Sequence, residues 1–212
     1  MILLGITGLA GSGKNYVADQ IMAKYENSKQ LAFADPLKHM VHHMFGIPLE
    51  DCYTEAGKNR ETWHKWGDIV TWTYDVTEES KRRDPAKPMT VRDLLQVVGT
   101  ELVRNQWNED HWVRLMKHRI ENCPHEVVLV TDVRFPNEAQ LIKEMGGTLL
   151  KVTGRQASGV PSHVSEADVI QADSLIVNTP GTTPGMIVDQ VERAVPGFTS
   201  TSPVPLCALR QP

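Results

Sequence analysis

The most restrictive feature of this chain is a junction. Residues 2–7, ILLGIT, form a continuous apolar run, as expected of a strand buried on both faces of a parallel sheet. GLAGSGKN comes at once after it, from Gly8 to Asn15. Val17, Ala18, Ile21, Met22 and Tyr25 then recur at helical spacing. Strand, glycine loop and helix in that order are the context in which G-x-x-x-x-G-K becomes a phosphate cradle. Backbone N–H groups and a positive helix terminus converge there on an anion. Glycines at 8, 11 and 13 permit the close approach, and Lys14 reaches the β- and γ-phosphates. The position that normally carries Ser or Thr is Asn15, and Tyr16 supplies no aliphatic hydroxyl in its place.

Further along, Leu31–Ala34 is a second apolar run stopped by Asp35-Pro36, and a helix is expected from Leu37 to Phe45. Thr90 with Asp93 reads as an N-cap pair for a helix that turns Leu94, Leu95, Val98 and Leu102 inward. Another helix is expected over 110–121. Val127–Val130, Thr148–Thr153 and Ser174–Val177 read as strands, and 137–145 and 184–194 as helices. The alternation predicts an α/β domain over residues 1–195 with a mainly parallel five-stranded sheet. An inserted lobe is expected over about 47–89, a polar lid over about 154–172, and a disordered Pro/Ser/Thr-rich tail over 196–212.

The net charge of −4 argues against a nucleic-acid scaffold, so an anionic ligand must be held by locally placed cations. Cys52, Cys123 and Cys207 show no C-x-x-C spacing, which fits a reducing cytoplasm. The first residues read as a strand and not as a leader, and no apolar run is long enough to span a bilayer.

Ligands of parallel sheets sit at the carboxyl ends of strands. This singles out the glycine loop, Asp35, Asp132 with Arg134, Arg155 and Asn178. Asp132 ends a hydrophobic run, as a metal-organising carboxylate does in phosphate-loop proteins, and Asp35 is a second candidate for holding metal-bound water. The alternative for each is a turn cap. Arg92, Gln96 and Thr100 lie four residues apart, so a helix stacks them on one face beside Gly99. A solvated face is the plain alternative. A single charge in the stripe, and a glycine costly to a helix, favour a pocket lining. His39, His42 and His43 lack a matching ligand set for zinc. For the tryptophans of the insert, Trp63, Trp66 and Trp72, packing of a small core outweighs stacking on a base. Lys81-Arg82-Arg83, flanked by Glu78, Glu79 and Asp84, reads as a solvated loop.

Several segments in chain order resemble the deoxynucleoside monophosphate kinases of tailed bacteriophages. They are FADPLK (33–38), RDLLQVVGTELVR (92–104) with Trp112, TDVRFPNEA (131–139), and HVSE (163–166) after Gly154-Arg155. The likeness covers most of residues 1–180, and the insert matches only at Arg60-Glu61. It implies a three-layer P-loop NTPase fold, nucleoside monophosphate kinase-like, with an inserted monophosphate-binding lobe and a lid. It implies transfer of the γ-phosphoryl of ATP to a deoxynucleoside monophosphate, with Mg²⁺, in the cytoplasm of a host. The implied partners are these small molecules, with no nucleic acid and no membrane, and a homodimer is left open. Gly8, Gly11, Ser12, Gly13, Lys14, Asn15 and Tyr16 are expected at ATP. Asn178 or Thr179 is expected at its adenine. Asp132 and Asn15 are expected at Mg²⁺, through water. Lys38, Arg92 and Arg134 are expected at the acceptor phosphate, and Gln96, Thr100 and Trp112 at base and sugar. Asp35 and Arg104 also belong to the expected acceptor site, and Arg155 closes over the transferring group. The family's common loop has an acidic residue after the lysine, and Asn15 departs from it, which bears on metal affinity more than on ATP binding. Two rival readings are another small-molecule kinase, such as a dephospho-coenzyme A kinase, and a nucleotide-binding regulator without catalysis.

Overall fold

The computed structural model describes residues 1–70, 84–154, 170–195, 197 and 198, with the side chains of 69 and 70 left aside. The chain divides into two compact units. The first comprises Met1–Gln30, Pro124–Arg134 and the described residues from Ile142 on. The second comprises Leu31–Cys123 and Phe135–Leu141, and so extends on both sides of the 47–89 stretch expected to form a lobe.

The first unit is built on a five-stranded sheet. Its strands are β1 (Ile2–Thr7), β2 (Ser28–Leu31), β5 (Val127–Val130), β6 (Thr148–Thr153) and β7 (Ser174–Val177), in the order β2-β5-β1-β6-β7. β1 is central and parallel to β5 on one side, with Gly5 opposite Val130, and to β6 on the other, with Gly5 opposite Leu149. β7 adds to β6 in parallel. Leu4, Ile6, Leu129, Leu150, Val152 and Ile176 point into one core with Val17, Ala18 and Ile21 of helix α1 (Lys14–Lys24) and Ile187 and Val191 of the last helix (Pro184–Ala194). Leu3, Val128 and Leu149, on the opposite face, are also buried. Strands buried on both faces read as unbroken apolar runs, which is why these were visible in the sequence.

β2 begins three residues before the apolar run expected to form it. As its pattern SKQL is only half-buried, it carries no apolar signal. Leu31, Ala32 and Phe33 are buried outside regular structure, and helix α2 begins at Ala34. There Asp35 Oδ2 accepts the N–H of Ala32 at 3.1 Å. Pro36 is tolerated in that first turn because its missing N–H has no intrahelical partner there.

In the second unit the stretch of unclear periodicity resolves into pieces too short to show one. They are a 3₁₀ turn (Leu49–Cys52), helix α3 (Glu55–Lys58), strand β3 (Glu61–Lys65), helix α4 (Trp66–Val70) and strand β4 (Pro88–Thr90), which pairs antiparallel with β3. Trp66 is buried with Val41, Cys52, Met89 and Leu94 in this unit's core, whereas Trp63 is exposed. Trp72 and the Lys81–Arg83 run lie outside the described residues.

The Thr90–Asp93 capping box forms in both directions and starts helix α5 (Val91–Gln96). The expected α-helix does not continue. From Val97 to Trp107 the backbone is π-helical. The N–H of Asn108 reaches the Val103 carbonyl, five residues back, at 2.8 Å. The wider turn buries residues five apart, Val98 with Val103 and Gly99 with Arg104. The stripe therefore breaks: Gln96 stays half-exposed while Thr100 turns inward. A Cβ on Gly99 would lie 2.5 Å from Leu37 Cδ2, so the room this glycine opens is filled by α2.

The expectation of disorder from residue 196 fails at Phe198, which is fully buried in the first core. It stacks on Tyr25 with ring centroids 4.2 Å apart. The chain from 199 on lies outside the described residues. Among the described residues no helix is long and apolar enough to cross a membrane. Phe198→Ala is expected to lower unfolding free energy by about 3–5 kcal/mol in urea denaturation. A loss below about 1 kcal/mol would show that the C-terminal aromatic is dispensable.

Candidate active site

Because β1, β5, β6 and β7 are mutually parallel, their carboxyl ends share one edge of the sheet. The glycine loop leaves β1 there. Gly8 has φ 138°, and a Cβ on it would lie 2.5 Å from the Val152 carbonyl oxygen of β6. Gly13, with φ 92° and ψ 27°, turns the chain into α1. Neither conformation suits a residue with a side chain. The first turn of α1 holds no acidic residue, so the helix dipole stays available to an anion. Lys14 Nζ donates to the carbonyls of Gly8 and Leu9 at 2.8 and 2.9 Å, which holds its ammonium against the loop.

The other expected ATP contacts divide. Gly11 and Asn15 are exposed, and Tyr16 is half-buried against the sheet core. Ser12 and Asn178 are buried at 2% and 0% exposure. Asn178 Nδ2 donates to the Ser12 carbonyl at 3.2 Å, bracing the loop from the end of β7. Ser12 Oγ and Asn178 Oδ1 have no hydrogen-bond partner among the described residues. Asn178 thus faces the back of the loop, away from any exposed base. Thr179 is exposed and engages Thr182 in the turn before the last helix.

Asp132 comes after Thr131, which is buried and accepts from Gln30 Nε2 at 3.1 Å. The N–H of Val133 donates to the Ile6 carbonyl at 3.3 Å, so this segment runs beside the end of β1. Asp132 is half-buried there and Arg134 is exposed. Among the described residues no cluster of three His, Cys, Asp or Glu could cage a metal. An amide and one carboxylate suit Mg²⁺, which keeps several waters and takes its remaining ligands from substrate phosphates.

In the second unit a charged group forms around Asp35. Its carboxylate meets Lys38 Nζ at 3.5 Å, the Tyr53 hydroxyl at 3.3 Å and Arg119 Nη2 at 3.5 Å. Arg119 also donates to the Ala32 carbonyl at 2.7 Å. Lys38 Nζ lies 3.9 Å from the centre of the Tyr53 ring. Burial first, then the Asp35 carboxylate, pushes the Tyr53 hydroxyl up to about 12, so it stays protonated. Asp35 therefore organises cations besides starting α2. Arg92 donates to Glu55 at 2.6 Å and to Asn59 at 3.4 Å, and Glu55 also meets Lys58 at 3.3 Å. Arg119, Tyr53, Glu55 and Lys58 were not singled out by sequence. TEAGK did carry a legible N-cap with an acid–base pair three residues apart.

Two residues expected at the substrate are engaged inside the fold instead. Arg104 is 7% exposed and pairs with Glu138, 4% exposed at its side chain, at 2.7 Å. It also donates to Asn137 Oδ1 at 3.1 Å and the Glu109 carbonyl at 3.3 Å, and lies 3.8 Å over the Phe135 ring. Its donors are engaged because a buried guanidinium must be paired. Glu138 in turn accepts the Phe135 N–H at 3.1 Å, as a glutamate in the first turn of a helix does for the residue that precedes it. Trp112 is buried and its indole N–H donates to the Gly99 carbonyl at 2.9 Å, within the π-helical segment. Thr100 is also buried. Arg155 and the 163–166 segment lie outside the described residues.

The family model for deoxynucleotide monophosphate kinases matches residues 71–183. A protein of Acanthamoeba polyphaga mimivirus, provisionally named a deoxynucleotide monophosphate kinase, is 28% identical over 180 residues, 80% of this chain and 82% of that one. The deoxynucleoside-5'-monophosphate kinase of Escherichia phage T5 is 27% identical over 180 residues, covering 68% and 72%. A deoxynucleotide monophosphate kinase of Escherichia phage RB69 is 26% identical over 96 residues.

Replacing Arg104 with Ala strands a buried carboxylate, and chemical denaturation should show a loss of about 3–5 kcal/mol. An unchanged midpoint would return Arg104 to the ligand-binding residues.

Proposed function

The chain belongs to the deoxynucleotide monophosphate kinase family, and we propose that it converts ATP and a deoxynucleoside monophosphate to ADP and the diphosphate. The observation that carries this reading is the glycine loop: left-handed glycines lead into a helix N-terminus with Lys14 held at the loop, on the carboxyl edge of a parallel sheet. Loop amides and Lys14 bind the phosphates of ATP. Lys38 and Arg92, joined by Lys58, bind the phosphate of the acceptor. Gln96, half-exposed, is the candidate for base or sugar.

The attacking group is an acceptor phosphate oxygen already ionised at neutral pH, so no general base is required. Its bond to the γ-phosphorus forms as the bond to ADP breaks, and the rate depends on alignment and charge neutralisation. Arg134 and Arg155 are assigned to the charge of the transferring group. Asn15 and Asp132 would hold Mg²⁺ through water, and the bound ion neutralises phosphate oxygens of ATP. Work in a host cytoplasm fits the phage and viral relatives.

A coupled ADP-release assay across the four deoxynucleotides and their ribose counterparts tests the reading. Phosphorylation of dephospho-coenzyme A, with none of any nucleotide, would overturn it. ATP binding without turnover on any acceptor would favour a regulator. Lys14→Ala should reduce turnover at least about a hundredfold with the melting temperature retained; near-normal turnover would sink the loop's role. Asn15→Asp should shift the Mg²⁺ concentration needed for half-maximal rate, and an identical Mg²⁺ titration would remove Asn15 from the metal's neighbours.

A further inference from the structure

Three cations of the second unit, Lys38, Lys58 and Arg92, act on one another electrostatically around Lys58. A carboxylate bridges two of them. Glu55 places Oε1 3.3 Å from Lys58 Nζ and Oε2 2.6 Å from Arg92 Nη2. The bridge is lopsided in exposure. The side chains of Lys58 and Arg92 are 22% and 31% exposed, that of Glu55 is 74% exposed. Glu55 and Lys58 are the first and last residues of α3, which Thr54 caps through the Gly57 N–H at 3.0 Å, and Arg92 lies in the first turn of the helix started by the Thr90–Asp93 box. The carboxylate is thus the outer member of the bridge, and an exposed ion pair holds it with little free energy.

Lys58 and Arg92 share the carboxylate of Glu55, whereas Lys38 meets that of Asp35 at 3.5 Å. Burial, together with the like charges of Lys38 and Arg92, pulls Lys58 below the ordinary lysine value although Glu55 opposes the shift. Burial would raise Glu55, but Lys58 and Arg92 hold it below the usual carboxylate range. A phosphate monoester carries about −1.5 to −2 at neutral pH and offers three acceptor oxygens, against one charge and two oxygens for Glu55.

We propose that Glu55 is a resident competitor for the acceptor's phosphate: its carboxylate occupies Lys58 and Arg92 in the free protein and yields them to a dianion. The identity of that dianion, a nucleoside monophosphate, rests on the kinase reading above. Glu55 then sets acceptor affinity and selects against ligands with less charge, because a neutral or singly charged group does not offset the loss of the carboxylate it displaces.

The test is calorimetric titration of the full chain, without ATP, with inorganic phosphate, each deoxynucleoside monophosphate and the parent deoxynucleosides. Glu55→Gln should tighten phosphate and monophosphate binding by about three- to tenfold and leave the uncharged nucleosides unmoved. Lys58→Met should weaken the phosphate-bearing ligands by about tenfold and spare the nucleosides. Should Glu55→Gln fail to fold by circular dichroism, Glu55→Ser, which retains a residue suited to a helix start, carries the same expectation. Unchanged phosphate affinity in a folded Glu55 variant overturns the proposal, and so does equal tightening toward nucleosides, which marks an effect not specific to the phosphate. ADP release with unaltered phosphate affinity defeats this inference alone. Tightened phosphate binding without ADP release on any acceptor defeats the kinase reading and leaves the anion site standing.

Discussion

The first unit of this protein depends on one constraint, the parallel pairing of β1 on both its edges. A strand hydrogen-bonded to β5 and β6 has no free edge, and the burial of both its faces leaves it no polar side. It is held in one register, so the residue at which it ends is fixed in space. The loop that leaves it begins with a glycine too near the β6 carbonyl to carry a side chain. That loop is further braced by Asn178 from the end of β7. Sheet packing thereby fixes the position of the glycine loop, and Lys14 is oriented by the loop's own carbonyls.

The second unit reaches its chemistry by another route. Its elements are short and its core small, and polar side chains do much of the fixing. Thr54, the Thr90–Asp93 box and the Arg104–Glu138 pair each tie a chain segment in place, the last two beside the buried Val91, Leu94, Val98 and Val103. The π-helical turn is part of this arrangement. By widening the helix it carries Arg104 inward to Glu138 and brings the Gly99 carbonyl to the indole of Trp112. Lys38, Lys58 and Arg92 stay partly exposed, each beside a carboxylate, and Lys38 also lies over the Tyr53 ring.

Legibility in the sequence tracked the length of each element and the number of its buried faces. β1, β5 and β6 coincide with apolar runs because a strand buried on both faces admits little else, and the edge strand β7 keeps the apolar pattern although Leu175 and Val177 are exposed. The helices at 14–24, 111–121 and 184–194 repeat long enough to show their period. β2 was misplaced because a half-buried strand of polar residues is silent, while the adjacent buried LAFA run imitates one. The pieces between 49 and 70 are too short for any period to register. The Arg92–Gln96–Thr100 stripe rested on 3.6 residues per turn, and nothing local in the residues announces that the turn widens at Val97.

The sequence by itself determined the strand–loop–helix junction, the residues that come after each strand, and the kinase resemblance. Those depend on contacts between residues near in the chain and on burial, both of which composition records. Only tertiary structure decided which cations stay partly exposed and which are consumed as internal ties. Arg92 and Arg104 are both arginines of one helical stretch, twelve residues apart in RDLLQVVGTELVR. One meets an exposed carboxylate and the other a buried one. That difference is set by Glu55 and Glu138, partners distant in sequence from the arginines they hold, and by the desolvation that makes a buried guanidinium keep its partner.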